Sequence, residues 1–98
     1  MTINQNRDGS KLTVSLEGRL DTTTAPQLEG ELRPALDGVT ELVFDFAQLG
    51  YISSAGLRVL LSAQKIMNKQ GSMVVRNANE DLKEIFDVTG FSDILTIE

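Results

Sequence analysis

Two adjacent serines, Ser53 and Ser54, have the residue type and the position best suited to chemistry in this chain. They follow the apolar run at residues 42–46 after a short segment, and they open a stretch with helical spacing of apolar residues. A helix N-terminus presents unpaired N–H groups and about half a positive charge, so it favours an anion such as a phosphate. A serine at such a point is most often an N-cap, an interpretation that fits Ser53 and leaves Ser54 as a first-turn residue.

The residues needed for most enzymatic chemistry are missing. The 98 residues include no histidine and no cysteine, which excludes imidazole bases, serine–histidine–aspartate relays, thiolate chemistry and zinc sites built on these residues. The sequence also has no GxxxxGK[ST] phosphate-binding loop and no paired-carboxylate motif. We therefore expect a protein that is not an enzyme and that carries no metal and no cofactor.

Charge and apolar patterning restrict the partners and the compartment. The formal net charge is −5, and the nine lysines and arginines form no cluster, so a surface for nucleic acid is not expected. The apolar runs are too short to span a bilayer, and the N-terminal residues lack the apolar stretch of a secretory signal. We expect a cytoplasmic protein without direct membrane insertion, in which residues 1–98 form a single domain.

Hydrophobic periodicity predicts a small α/β domain. The predicted strands are residues 2–6, 11–17, 42–46, 73–75 and 94–97. The predicted helices are residues 25–36, 54–69 and 80–88, the last of them capped by Asn79. The order ββαβαβα(β) predicts a four- or five-stranded mixed sheet packed with three to four helices, because strands that alternate with helices pair in parallel.

Local signals set the ends of the predicted elements. Gly18 is expected to end the second strand, and residues 47–52 are expected to form a loop. Thr24 with Gln27 resembles a capping box at the start of the first helix. Pro34 is expected to kink that helix or end it early, because proline lacks an N–H group.

The helix that Ser54 opens brings further candidates to one face. Residues at i, i+3, i+4 and i+7 share a face, which places Ser54 beside Leu57, Arg58 and Leu61. The two leucines are either exposed apolar residues or part of a wide core stripe. A separate stripe suits the core and consists of Val59, Leu60, Ala63, Ile66 and Met67.

Three charged residues have more than one interpretation. Arg58 lies four residues after Ser54 and leans back toward it, so it either approaches a phosphate on Ser54 or pairs with an acidic group of a partner; the alternative is a solvated surface arginine. Asp21 either flanks the same surface or is a turn or cap residue. Asp45, within an apolar run, is either exposed at a strand end or hydrogen-bonded in a buried place, and we assign it a structural role.

Three segments resemble the STAS domains, and among them the bacterial anti-sigma-factor antagonists: Gly18-Arg19-Leu20-Asp21, the strand Leu42-Val43-Phe44-Asp45-Phe46, and Tyr51-Ile52-Ser53-Ser54-Ala55-Gly56-Leu57. The resemblance implies binding to an anti-sigma factor that is also a serine kinase, release on phosphorylation, and resetting by a PP2C-type phosphatase. Alignment on Gly56 and Leu57 implies Ser54 as the phosphoacceptor. Ser53 then stands where the family has aspartate.

The helix geometry and the resemblance together predict a partner-binding surface around the phosphoacceptor, made of Asp21, Ser53, Ser54, Gly56, Leu57, Arg58 and Leu61. The resemblance leaves a second role open. Some STAS modules that are never phosphorylated serve as accessory subunits of membrane transporters, including lipid-transport ATP-binding cassette systems. Phosphorylation of Ser54, and the partner that performs it, distinguish the two roles.

Overall fold

A computed structural model describes residues 1–98 and contains one mixed sheet, three α-helices and a short 3-10 helix. The strands are β1 (Thr2–Asp8), β2 (Lys11–Leu20), β3 (Glu41–Ile52), β4 (Ser72–Arg76) and β5 (Thr96–Ile97). The helices are α1 (Ala25–Ala35), α2 (Ser54–Gln70) and α3 (Glu80–Thr89), and the 3-10 turn is Phe91–Asp93. The predicted α/β class and the order ββαβαβα(β) are confirmed. None of the helices is long and apolar enough to cross a membrane.

The sheet has the strand order β1-β2-β3-β4-β5. The β1–β2 pair is an antiparallel hairpin, and the three remaining pairs are parallel. Leu12, Val14 and Leu16 of β2 are buried, whereas the residues between them are partly exposed, which is the period-two pattern of a strand with one covered face. Because β2, β3 and β4 run the same way, their carboxyl ends meet at one edge, where α2 begins.

The prediction that Gly18 ends β2 and that residues 47–52 form a loop is wrong. Both strands continue as a parallel pair to Leu20 and Ile52, with register shifts on either side of Glu17 and Gly18. Gly18 has φ +104, a left-handed backbone that suits a bulge and that other residues rarely adopt. The two register shifts break the alternation of apolar and polar residues, so the final residues of β2 and β3 lack the period-two pattern that predicts a strand.

The predicted capping box at α1 is also wrong. The Thr24 side chain caps no helical N–H; its Oγ1 instead donates to the Arg19 carbonyl at 2.8 Å. Gln27 Nε2 donates to Glu31 at 3.3 Å. Pro34 lies inside the helix, which ends one residue later at Ala35. Its missing N–H removes one bond of the helical ladder, but the Leu36 amide still donates to the Leu32 carbonyl at 3.1 Å.

The predicted starts of α2 and α3 and the glycines that follow them are confirmed, and each helix continues one residue beyond its predicted last residue. Ser53 is the N-cap of α2 and Asn79 that of α3, and Gly71 and Gly90 follow the two helices. Gly90 adopts the left-handed conformation with φ +81, as is typical of a residue just after a helix. Gly71 is required for a different reason, because a β-carbon there would lie 1.8 Å from the Thr40 carbonyl oxygen.

Candidate functional site

Ser54 lies exposed at the edge of the sheet where β2 and β3 end. The Ser53 amide donates to the Leu20 carbonyl at 2.9 Å, and this bond ties the start of α2 to the last residue of β2. Ser53 Oγ accepts a long hydrogen bond of 3.4 Å from the Gly56 amide. Ser54 is in the first helical turn, which contains no acidic residue, and its hydroxyl is free of hydrogen bonds within the chain. The site therefore offers an accessible hydroxyl at the positive end of a helix.

Gly56 and Leu57 were predicted to be part of the partner surface, but both are buried and do not contribute to it directly. A β-carbon on Gly56 would lie 2.7 Å from Leu20 Cγ and 2.9 Å from Ile52 Cγ1, so this glycine lets α2 approach the strand ends. Leu57 is only 5 % exposed and belongs to the core, which settles its alternatives in favour of the wide core stripe. Leu61 is half-buried and keeps some accessible surface.

Asp21 holds the loop between β2 and α1 in one conformation. Its Oδ1 accepts from the Thr23 hydroxyl at 2.7 Å and from the amides of Thr23 and Thr24 at 3.0 and 3.1 Å. The hydrogen bond from the Thr23 hydroxyl is the main cause that lowers the pKa of Asp21 to about 2. Asp21 thus has the turn role, and its other oxygen lies 3.8 Å from Arg19 Nε.

Arg19 and Tyr51 form an exposed pair beside the site, and neither residue was predicted to belong to it. They are register partners on β2 and β3, and the Arg19 guanidinium lies 4.3 Å from the centre of the Tyr51 ring. Tyr51 is 38 % exposed although it is large and aromatic. Tyrosine and arginine are enriched among the residues that dominate protein interfaces. Both residues can be read from the sequence, but their pairing follows only from the shifted register between β2 and residues 47–52 of β3.

Arg58 borders a groove between the first turns of α1 and α2, which we call the α1–α2 groove. Its volume is about 310 Å³, and it has a floor of small apolar side chains, namely Ala25, Ala55 and Val59. Its rim includes Thr22, Glu29 and Arg58. Ser54 precedes the floor residue Ala55, so the groove adjoins the candidate phosphoacceptor.

Asp45 has the structural role assigned to it. Its Oδ1 accepts from the Ala47 amide and from Asn77 Nδ2, both at 3.0 Å. Asn77 has a left-handed backbone with φ 62, so the carboxylate fixes the turn after β4 as well as β3. No cluster of acidic residues in the chain could hold a metal ion.

Comparison with known proteins gives the family. The family model described as "Mlab, STAS domain" matches residues 3–96. The chain is 35% identical over 99 residues to the putative anti-sigma factor antagonist BtrV of Bordetella bronchiseptica, covering 99% of this chain and 85% of that protein. It is 30% identical over 98 residues to the anti-sigma-B factor antagonist of Bacillus subtilis, covering 99% and 90%. The chain therefore belongs to the STAS domain family.

Both of these relatives are named anti-sigma factor antagonists, which are regulators and not enzymes. Their names confirm the resemblance and the expectation that the chain is not an enzyme. The fold is shared as well. The phosphorylated form of the Bacillus cell fate determinant SpoIIAA superposes with a TM-score of 0.77 at 17% identity, covering 99% of this chain and 91% of that chain. At that identity the likeness concerns the fold alone.

Proposed function

We propose that the chain is an anti-sigma factor antagonist that binds an anti-sigma factor with serine kinase activity and is released when Ser54 is phosphorylated. The observation that carries the proposal is the free, exposed Ser54 hydroxyl in the first turn of α2. The names of the relatives support the antagonist role. A PP2C-type phosphatase would restore the binding form by hydrolysing the phosphoserine.

The partner supplies the catalysis in this proposal. The Ser54 oxygen attacks the γ-phosphorus of ATP on the kinase, the bond from that phosphorus to the bridging oxygen of ADP breaks, and ADP leaves. The hydroxyl proton passes to a base of the kinase. This chain has only to present the hydroxyl, since it contains no histidine or cysteine to act as a base or nucleophile.

The phosphate acts on the complex and not on the fold. It adds about −1.5 to −2 charges, and at a helix N-terminus these charges are favourable. The first turn of α2 contains no carboxylate that would repel them. In the middle of a docking surface, however, the same charges oppose binding through desolvation and repulsion.

Ser53 in place of the family's aspartate is compatible with this mechanism. Serine and aspartate are both good N-caps, and the Ser53 side chain retains the bond from the Gly56 amide. Unlike aspartate, serine supplies no negative charge beside the phosphoacceptor. The proposal therefore requires a kinase that does not depend on that charge.

Incubation with ATP and the anti-sigma factor kinases encoded in the same genome tests the proposal. Mass spectrometry of the digested protein should find phosphate on Ser54, and the Ser54→Ala variant should bind the kinase and take up no phosphate. The Ser53→Ala variant is the matched control and should still be phosphorylated. Absence of both binding and phosphorylation would contradict the proposal and favour the accessory role in a transporter, for which co-purification with a permease and its ATPase is the readout.

A further inference from the structure

We propose that the α1–α2 groove receives an acidic side chain of the kinase and that Arg58 is the residue that binds it. The inference rests on the proposed function, and it adds the chemistry by which this chain recognises its partner. It also adds the reason that a phosphate on Ser54 ends the interaction.

Arg58 is distinguished from the other arginines by its lack of any partner within the chain. The others form hydrogen bonds or ion pairs: Arg7, Arg19, Arg33 and Arg76. Arg58 is exposed and forms neither. The carboxylate that shares its groove, Glu29, is 3.5 Å from Arg33 Nε. The guanidinium of Arg58 is therefore an uncompensated cation in a chain with a net charge of −5.

The shape and the charge of the groove select the occupant. Its floor of small apolar side chains can take the methylene groups of a glutamate or aspartate, and Arg58 at the rim can bind the carboxylate with two N–H groups. The adjoining N-terminus of α2 favours the same negative charge. No carboxylate lies in the first turn of either α1 or α2. An acidic side chain thus meets complementary charge here.

Phosphorylation of Ser54 removes this recognition. Ser54 and Arg58 are four residues apart on α2, and helical side chains lean toward the N-terminus. A phosphate on Ser54 is therefore within reach of the Arg58 guanidinium and competes for it. The same phosphate repels the partner's carboxylate. Phosphorylation of Ser54 thus occupies the Arg58 guanidinium and adds a negative charge that repels the partner's carboxylate.

Titration calorimetry of the kinase with the full chain tests the inference. We expect Arg58→Ala to bind about tenfold more weakly and Arg58→Glu about 100-fold more weakly, with Arg58→Lys within about fivefold of wild type. Lys65→Glu is the matched control, because it makes the same change of charge two turns further along α2, and it should lose less than about threefold. Wild-type affinity should also fall more steeply with added salt than that of Arg58→Ala.

These measurements distinguish the role of Arg58 from the proposed function of the chain. Arg58 has no hydrogen bond or ion pair within the chain to lose, so equal melting temperatures of the variants verify that folding is unchanged. If Ser54→Asp abolishes binding while Arg58→Glu binds as tightly as Lys65→Glu, the role of Arg58 is wrong and the proposed function stands. If the wild-type chain binds none of the kinases, both are wrong.

Discussion

Replacing Gly56 with alanine is expected to destabilise the domain, although alanine is the better helix former. The added β-carbon would lie 2.7 and 3.0 Å from two atoms of Leu20 and 2.9 Å from Ile52 Cγ1. Overpacking a core costs about 1–3 kcal/mol, whereas alanine in place of glycine within a helix gains at most about 1 kcal/mol. Because three contacts are too short, we expect a net loss of about 1–2 kcal/mol in the free energy of unfolding.

Thermal unfolding followed by circular dichroism measures the effect. A loss of this size should lower the melting temperature of a 98-residue domain by roughly 5–15 °C. Gly30→Ala is the control within the same protein, because a β-carbon at Gly30 would meet nothing within 4 Å. It should raise stability by about 0.5–1 kcal/mol. Equal shifts for the two variants, or a stabilised Gly56→Ala, would refute the argument that Gly56 sets the distance between α2 and the strand ends.

Three further predictions concern Ser54, Tyr51 and Asp21. Ser54→Asp should bind the kinase more than about tenfold more weakly, whereas Ser54→Ala should bind normally and resist release by ATP; unchanged affinity of Ser54→Asp would count against the switch. Tyr51→Ala should weaken binding by about tenfold without lowering the melting temperature, and a change in stability alone would make Tyr51 structural. The pKa of Asp21 is lowered from 3.8 to about 2, so its contribution to stability is present above pH 4 and is lost as the pH falls toward 2. The melting temperature of Asp21→Asn should therefore depend less on pH than that of wild type in this window, and parallel curves would contradict this.

Where local chemistry decides the structure, the sequence was sufficient. Asn79 and Gly90 delimit α3 as predicted, because capping and the left-handed conformation depend on single residues. The position of Ser54 followed from the same kind of signal. The order of the elements was also predictable, because it needs only the alternation of strand and helix patterns.

Where tertiary contacts decide, prediction from the sequence failed. The second half of β3 is a strand because it pairs with a bulged β2, and no period in residues 47–52 reveals that pairing. Leu57 has the spacing of the exposed face, but the close approach of α2 at Gly56 brings it into the core. The Thr24 hydroxyl donates to the Arg19 carbonyl instead of capping α1, because β2 extends further than its period-two pattern indicates. The Arg19–Tyr51 pair was missed for the same reason.

The hydrogen bonds of the loop between β2 and α1 have a consequence for the rate at which complexes form and separate. Asp21 accepts from Thr23 and Thr24, and the Ser53 amide is bound to the Leu20 carbonyl, so hydrogen bonds within the chain hold this loop and the start of α2 without a partner. Preorganisation of this kind reduces the conformational entropy lost on binding. The free domain can then dock as a rigid body, and differences in affinity among its modified forms should appear mainly in the lifetime of the complex.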